Sequence, residues 1–184
     1  MTLRTSIFTS LDGRIDADSD WQYPWFDGEL FEVLAQQWSS ADALLIGRRS
    51  FEGYERLAVE HPGSPMVDLL RSLPVIVVSR TRDSSDSLPG ATFIATADPT
   101  SLAALEETHG RLLVLGNPTL LNGLVGSGSV TTLDVIVLPV VLGGGARLFE
   151  SVSGPVAFTT REARSLSSGA IVLELDAAGA APTA

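Results

Sequence analysis

Leu112-Leu-Val-Leu-Gly-Asn-Pro-Thr-Leu-Leu121 holds the logic of the fold in ten residues. Its four leading apolar residues describe a strand covered on both faces, because a half-exposed strand would alternate with polar residues. Gly116 lets the backbone turn sharply. Asn117 is a helix cap, and Pro118 suits the first helical position, where its missing N–H is no loss. Leu120, Leu121, Leu124 and Val125 then recur on one side of a helix that Gly126 ends. A buried strand feeding a capped helix through a glycine is the unit of an α/β sheet.

The same unit recurs to either side. Ala43-Leu-Leu-Ile-Gly-Arg-Arg-Ser-Phe-Glu52 runs a buried strand into Gly47 and a helix that Ser50 can cap, and Pro74-Val-Ile-Val-Val78 is another apolar run. The pattern predicts eight strands, over about 2–9, 42–47, 74–79, 91–96, 111–116, 130–138, 155–161 and 169–175. Helices are expected between them. In 28–39, Leu30, Phe31, Leu34, Ala35 and Trp38 form one apolar face; Asp98-Pro99 opens a second helix that Gly110 closes; a short one is expected near 146–151. Ala170-Ile-Val-Leu-Glu-Leu175 alternates in part and reads as an antiparallel hairpin partner. The expected architecture is a single mixed, mostly parallel sheet of about eight strands flanked by helices, with an antiparallel C-terminal edge. One domain over 1–176 and a disordered tail over 177–184 complete it. Ser- and Asp-rich 81–88 is a loop.

Composition narrows the chemistry. The chain has 184 residues, enough for one core, with 45% hydrophobic and 18% charged residues and a formal net charge of −10. All 12 basic residues are Arg. Without Lys there is no Schiff-base or P-loop lysine, and without Cys there is no thiolate nucleophile, zinc thiolate site or disulfide. An acidic chain without a basic run is a poor partner for nucleic acid or anionic membrane. No apolar run is long enough to span a bilayer, and the first residues lack a secretory core, so a cytoplasmic protein is expected.

Four stretches could carry chemistry. Gly47-Arg48-Arg49-Ser50 joins a tight turn, a helix start with free N–H groups, and two forked donors that suit phosphate. Gly116-Asn117 offers a second helix end to a pyrophosphate. Ser79-Arg80 ends a third strand, and ligands of open α/β sheets gather outside the carboxyl ends of strands. Two arginines near a strand end, without an acidic ribose clamp, favour a 2′-phosphate and hence NADP over NAD. Trp21-Gln-Tyr-Pro-Trp-Phe-Asp-Gly-Glu29 sets aromatic residues ahead of two carboxylates: Trp25 and Phe26 could wall a planar substrate while Asp27 or Glu29 supplies a hydrogen bond or proton. Each stretch also has a structural explanation, as solvated arginines, capped helices or an N-cap at Asp27. Asp16, Asp18 and Asp20 have the opening spacing of a calcium loop but lack its glycine, since Trp21 stands there.

Taken with Ser10-Leu-Asp-Gly13 and Leu133-Asp-Val-Ile-Val-Leu-Pro-Val-Val-Leu-Gly-Gly-Gly-Ala-Arg-Leu-Phe149, these segments resemble the dihydrofolate-reductase-like fold. They are most similar to the C-terminal reductase domain of bifunctional riboflavin-biosynthesis deaminase/reductases. The resemblance implies NADPH as hydride donor. By position, Gly47, Arg48, Arg49, Ser50, Ser79 and Arg80 would hold its 2′-phosphate and pyrophosphate side. Gly116, Asn117, Thr119 and Leu120 would meet the pyrophosphate and nicotinamide, with Thr9 and the Leu11–Ile15 loop bordering the ring. Substrate would lie between Trp25–Glu29 and Pro139. Asn117 departs from the small residue usual in the family. The carboxylate of folate-reducing members falls in a register shared here by Asp27, Glu29 and Glu32, so dihydrofolate is not implied. Two functions stay open: an NADPH-dependent reductase of a C=N or C=O in a small heterocycle or carbonyl compound, and a non-catalytic nucleotide-binding member. Either is expected as a homodimer pairing through its C-terminal strands.

Overall fold

The computed structural model describes residues 3–15, 20–84, 88, 90–116 and 118–178. Eight strands form one sheet: β1 (Leu3–Ser10), β2 (Ala43–Gly47), β3 (Val75–Val78), β4 (Thr92–Ile94), β5 (Leu112–Leu115), β6 (Thr132–Leu138), β7 (Phe158–Ser165) and β8 (Ile171–Ala177). Their order is β4-β3-β2-β5-β1-β6-β8-β7. The first six are parallel neighbours, while β8 pairs antiparallel with both β6 and β7. The expected mixed sheet with its antiparallel C-terminal edge is therefore the observed one. β2 and β5, apolar throughout, are buried at every residue.

Among the described residues five α-helices flank the sheet: α1 (Gly28–Ser39), α2 (Arg48–Glu60), α3 (Pro65–Arg71), α4 (Pro99–His109) and α5 (Pro118–Gly126). Alternate strand residues divide the core. Leu3, Ile7, Leu45, Leu112 and Val114 face Leu102 of α4 and Leu121, Leu124 and Val125 of α5. On the other side, Leu44, Ile46, Val77 and Leu113 meet Phe51 and Ala58 of α2 and Val67 and Leu70 of α3. On that side too, Ile136, Leu138 and Val172 lie under Leu30, Val33 and Leu34 of α1. Helix α1 thus covers the β6–β8 end and α2 the β2–β3 end. β5 is inserted between β2 and β1, so the two helices stand apart and leave the ends of β5 and β1 open between them.

Local differences from the sequence expectation have physical causes. The segment expected to be helical near 146–151 is a turn: Arg147 bridges antiparallel to Arg14, and Phe149 has φ 63, which a right-handed helix excludes. Ser50 does not cap α2; Gly47 holds the N-cap position without a side-chain bond, and Arg48 is already helical. Ala35 is exposed, and Val33 and Gln37 are buried, because the covered face of α1 is the single stripe Leu30, Val33, Leu34, Gln37 and Trp38, spaced i, i+3, i+4, i+7 and i+8, which leaves Ala35 outside it. β7 begins at Phe158 rather than near 155, in register with β8 from Phe158↔Ala177 to Ser165↔Ile171. Helix α3 and a 3-10 helix over Asp20–Trp25 were not foreseen. β8 continues through Ala177, and most of the expected tail lies outside the described residues.

Candidate active site

Between α1 and α2 lies a cleft of about 850 Å³. Its floor is Ser6, Ile7 and Phe8 of β1 with Leu115 and Gly116 of β5. One wall is Phe31, Leu34 and Trp38 of α1; the other is the face of α2 that carries Arg49, Ser50, Gly53, Tyr54 and Leu57. Helical spacing produces that face, since residues three and four apart lie on one side. The aromatic end is built around Phe26, whose ring centroid lies 5.2 Å from Phe8, 5.6 Å from Phe31 and 5.9 Å from Tyr23. Such tilted and edge contacts are the favoured geometries of aromatic pairs, and they fix the shape of this end. Burial pushes the Tyr54 hydroxyl up to about 12, so it stays protonated across the ordinary pH range.

The polar mouth is where two strand ends meet. Gly116 has φ 55, and a Cβ there would stand 3.1 Å from Ser50 Oγ, so the end of β5 and the first turn of α2 are in near contact. No side chain caps α2, and its first N–H groups have no intrahelical partner. Arg49 lines the cleft. Arg48, on the outer side, pairs with Glu52 at 3.0 Å. The arrangement is a concave pocket with an aromatic body and a cationic, amide-rich mouth, suited to a planar ligand carrying phosphate at one end.

The family model of the RibD C-terminal domain matches residues 1–172. The chain belongs to this family. Solved structures similar to this RibD C-terminal domain chain share its fold at low identity. A protein of Shewanella sp. PV-4 named for riboflavin biosynthesis has TM-score 0.81 at 17% identity over 97% of this chain and 100% of its own. A pyrimidine reductase-like protein of Corynebacterium diphtheriae has TM-score 0.68 at 16% identity, over 97% of this chain and 92% of its own. A diaminohydroxyphosphoribosylaminopyrimidine deaminase/5-amino-6-(5-phosphoribosylamino)uracil reductase of Thermotoga maritima has TM-score 0.64 at 14% identity. There 96% of this chain covers 56% of the other, so the chain spans just over half of that two-function protein. No curated protein matches the chain.

Of the residues singled out in the sequence of this RibD C-terminal domain chain, Ile15, Phe26, Arg49, Ser50 and Gly116 come together at the cleft. Gly47 is buried at the α2 start. Arg80 is exposed beside Ser79, whose hydroxyl accepts from Arg82 N at 2.9 Å and so shapes the loop after β3. Thr9 is buried, and its hydroxyl donates to Arg14 O at 3.2 Å. Thr119 is exposed on α5, and Leu120 packs against the core. Asn117, like Asp16 and Asp18, lies outside the described residues.

The proposed substrate-side groups are spread more widely. Trp25 packs in the α1 cluster. Pro139 is exposed, and a Cβ on Gly169 would stand 3.5 Å from its Cγ. Asp27 caps α1 through Leu30 N at 2.8 Å. Glu29 accepts from Ser167 N at 2.6 Å and Ser167 Oγ at 2.7 Å in the β7–β8 turn, and these bonds lower its pKa. Neither carboxylate is among the cleft-lining residues, and Glu32 is exposed.

Sequence reasoning missed Ser6, Trp38, Gly53, Tyr54 and Leu57. The period of α2 would have placed Gly53, Tyr54 and Leu57 on one helix side, but nothing local says that this side faces a gap. A second feature also emerges only in three dimensions. Asp12 accepts from Ser10 Oγ, Leu142 N and Gly143 N, while Arg14 Nη1 donates to Gly145 O at 2.6 Å. These bonds staple the loop that carries Ile15 to the glycine-rich loop after β6.

Proposed function

We propose that the chain is an NADPH-dependent reductase acting on a planar, pyrimidine-like heterocycle, and that the Ser6–Gly116 cleft is its substrate site. One observation carries the reading: Gly116 and the α2 start converge at the mouth of the aromatic cleft, so a phosphorylated cofactor and a flat substrate would share one space. Membership of a reductase-domain family supports it.

The residues fit the cofactor. At Gly116 any side chain would crowd Ser50, so the bare backbone leaves a cradle, and the free N–H groups of α2 offer donors to phosphate. Arg49 would hold the pyrophosphate at the mouth, while Arg48 and Arg80, which stand outside the cleft, would serve a 2′-phosphate only where the cofactor runs beyond it. Bound there, NADPH supplies a hydride for a C=N or C=O carbon. The chain's share is positioning. Ile15 and Phe8 exclude water from the floor, and the Phe26 cluster orients the flat ring. Asp27 and Glu29 act as positioning residues, holding α1 and its Phe31, Leu34 and Trp38 in place, while water supplies the proton. That engagement of both carboxylates also favours a second reading, a binding member without turnover. A homodimer pairing through the β7–β8 hairpin belongs to either reading, and light scattering on the eluted protein reads it.

Titration with NADPH, followed by nicotinamide fluorescence, tests the first reading. Saturable binding is expected, and Arg49→Met should weaken it by about 10- to 100-fold, the worth of a hydrogen bond to a charged group. No binding at hundreds of micromolar overturns the reading. Binding without reduction of any pyrimidine, pteridine or carbonyl substrate selects the second.

A further inference from the structure

We infer that Arg82 is a positioning residue for coenzyme choice: clamped to Glu55 of α2, it fixes the loop after β3 so that Arg80 is presented beside the α2 start, ready for a 2′-phosphate. The inference deepens the assignment of NADPH as cofactor and rests on it.

Strand register brings the loop to this place. β2 and β3 are parallel neighbours, and Gly47 is paired with Val78. Gly47 is also the N-cap of α2. The chain therefore leaves β3 next to the helix end that carries Arg48 and Arg49, and Arg80 follows two residues after Val78. Neighbouring strands are about 5 Å apart, so a phosphate over the first turn of α2 is within the span of an arginine side chain from the β3 end. Arg80 is exposed, which leaves its guanidinium at the surface for a ligand.

Two anchors hold the backbone around it. On the strand side, Ser79 N donates to Ile94 O at 2.8 Å, and Ser79 Oγ accepts from Arg82 N at 2.9 Å. On the helix side, Arg82 sets its two Nη groups on the two carboxylate oxygens of Glu55, one of them at 2.7 Å. Its guanidinium carbon lies 5.3 Å from the Phe51 ring centroid, and Phe51 is fully buried and meets Phe93 of β4 edge-on. Arg82 Nε turns back to Ser84 O at 2.9 Å, so the fork ties its own loop as well as α2. A bidentate pair stacked on a ring is held in one orientation, unlike a solvated ion pair. Arg80 stands one residue after the first anchor and two before the second, which leaves its Cα little freedom.

Arg82 gives its Nε and both Nη groups to protein oxygens, so it acts on a cofactor through Arg80 rather than by contact. Glu55 gives the inference a sign. It stands on the helix whose N-terminal end would take the phosphate. By charge alone, removing this carboxylate would tighten a 2′-phosphate. By position, removing it would weaken one, because Arg82 and then Arg80 come loose.

The test titrates NADPH and NADH in parallel by nicotinamide fluorescence, since the two differ by the 2′-phosphate alone. The parent should prefer NADPH by at least about tenfold, and Arg80→Met should remove most of that preference, as expected for a hydrogen bond between charged groups. Glu55→Met should lower the preference at least about fivefold through NADPH, with the NADH constant within about twofold of the parent. Arg82→Lys keeps the charge but not the fork, and should lower it likewise. In an Arg80→Met background neither change should lower it further, because the positioned group is gone. Amide exchange at Arg82 in the ligand-free protein reads the clamp itself and should quicken in Glu55→Met. Tighter NADPH binding in Glu55→Met, equal losses for NADH and NADPH, or losses that add to that of Arg80→Met overturn the inference. So does unchanged exchange, or faster exchange with an unchanged preference. A parent that binds both coenzymes alike overturns it while leaving a nicotinamide reductase in place. A parent that binds neither overturns the reductase reading and the inference with it.

Discussion

Gly116→Ala is the sharpest perturbation of the site. At φ 55 an L residue costs roughly 1–2 kcal/mol, because Cβ crowds the following carbonyl. The new methyl would also stand 3.1 Å from Ser50 Oγ, closer than an ordinary contact, and crowding of this kind adds roughly 1 kcal/mol. The sum is about 2–3 kcal/mol, which in a chain of this length lowers the melting temperature by about 5–10 °C. The two contributions separate in a double-mutant cycle. Ser50→Ala removes the Oγ and leaves a next-nearest contact of 3.8 Å, so Gly116→Ala in that background should cost about 1 kcal/mol less. Urea denaturation of the four proteins measures this. A Gly116→Ala variant within about 0.5 kcal/mol of the parent would refute the strained cradle. Equal costs with and without Ser50 Oγ would refute the convergence of β5 and α2 on which the functional argument stands.

Other expectations concern the scaffold. Arg4 donates to both carboxylate oxygens of Asp134, whose side chain is fully buried. Burial pushes the Asp134 carboxyl up more strongly than Arg4 pulls it down. Arg4→Met should therefore cost roughly 3 kcal/mol at neutral pH, as expected for a stranded buried charge, and recover part of it in acid, where Asp134 is protonated. Hydrogen bonds from Ser10, Leu142 and Gly143 hold the Asp12 carboxyl well below the usual carboxylate range. The staple is thus complete above an unfolded pKa of about 4 and weakens only as pH falls below it; Asp12→Asn should flatten that acid limb in a pH series of melting temperatures. Asp27→Ala should lose about 1 kcal/mol as an N-cap. In the reductase reading, Asp27→Asn and Glu29→Gln should leave the pH profile of turnover unchanged, and loss of a limb in either would make that carboxylate the proton donor.

All eight strands and the helices α1, α4 and α5 were legible in the sequence because their signals are local. Leu112–Leu115 is apolar throughout since both its faces are covered, and Asp98-Pro99 and Asp27 cap helices through bonds that span three residues. The errors fall where a neighbour distant in sequence decides. Apolar residues near 146–151 read as helical, but Arg147 bridges to Arg14 and the chain turns through Phe149 instead. Ala35 lies next to the apolar face in sequence, but the packing of α1 on β6 and β8 buries Val33, and β1 buries Gln37, whose Oε1 accepts from Ser6 Oγ at 2.8 Å.

The cofactor mouth and the substrate cleft differ in legibility for the same reason. Gly47-Arg48-Arg49-Ser50 and Gly116 announce themselves because a turn and a helix end are properties of consecutive residues. The cleft is a property of strand order. Only the insertion of β5 between β2 and β1 parts α1 from α2, and no stretch of sequence records where a later strand will be inserted. The same holds for Asp27 and Glu29. Their place at a helix start next to aromatic residues suits a proton donor equally well as a cap, and what decides between these roles is Ser167, 138 residues beyond Glu29. Once the β7–β8 turn engages Glu29, the α1 wall is anchored from outside the cleft, and its inner face is left to Phe31, backed by the buried Leu34 and Trp38, residues able to exclude water but not to exchange a proton. A reductase built this way depends on shape more than on acid–base groups, so its substrate preference should follow changes at Phe31 more closely than changes at any carboxylate.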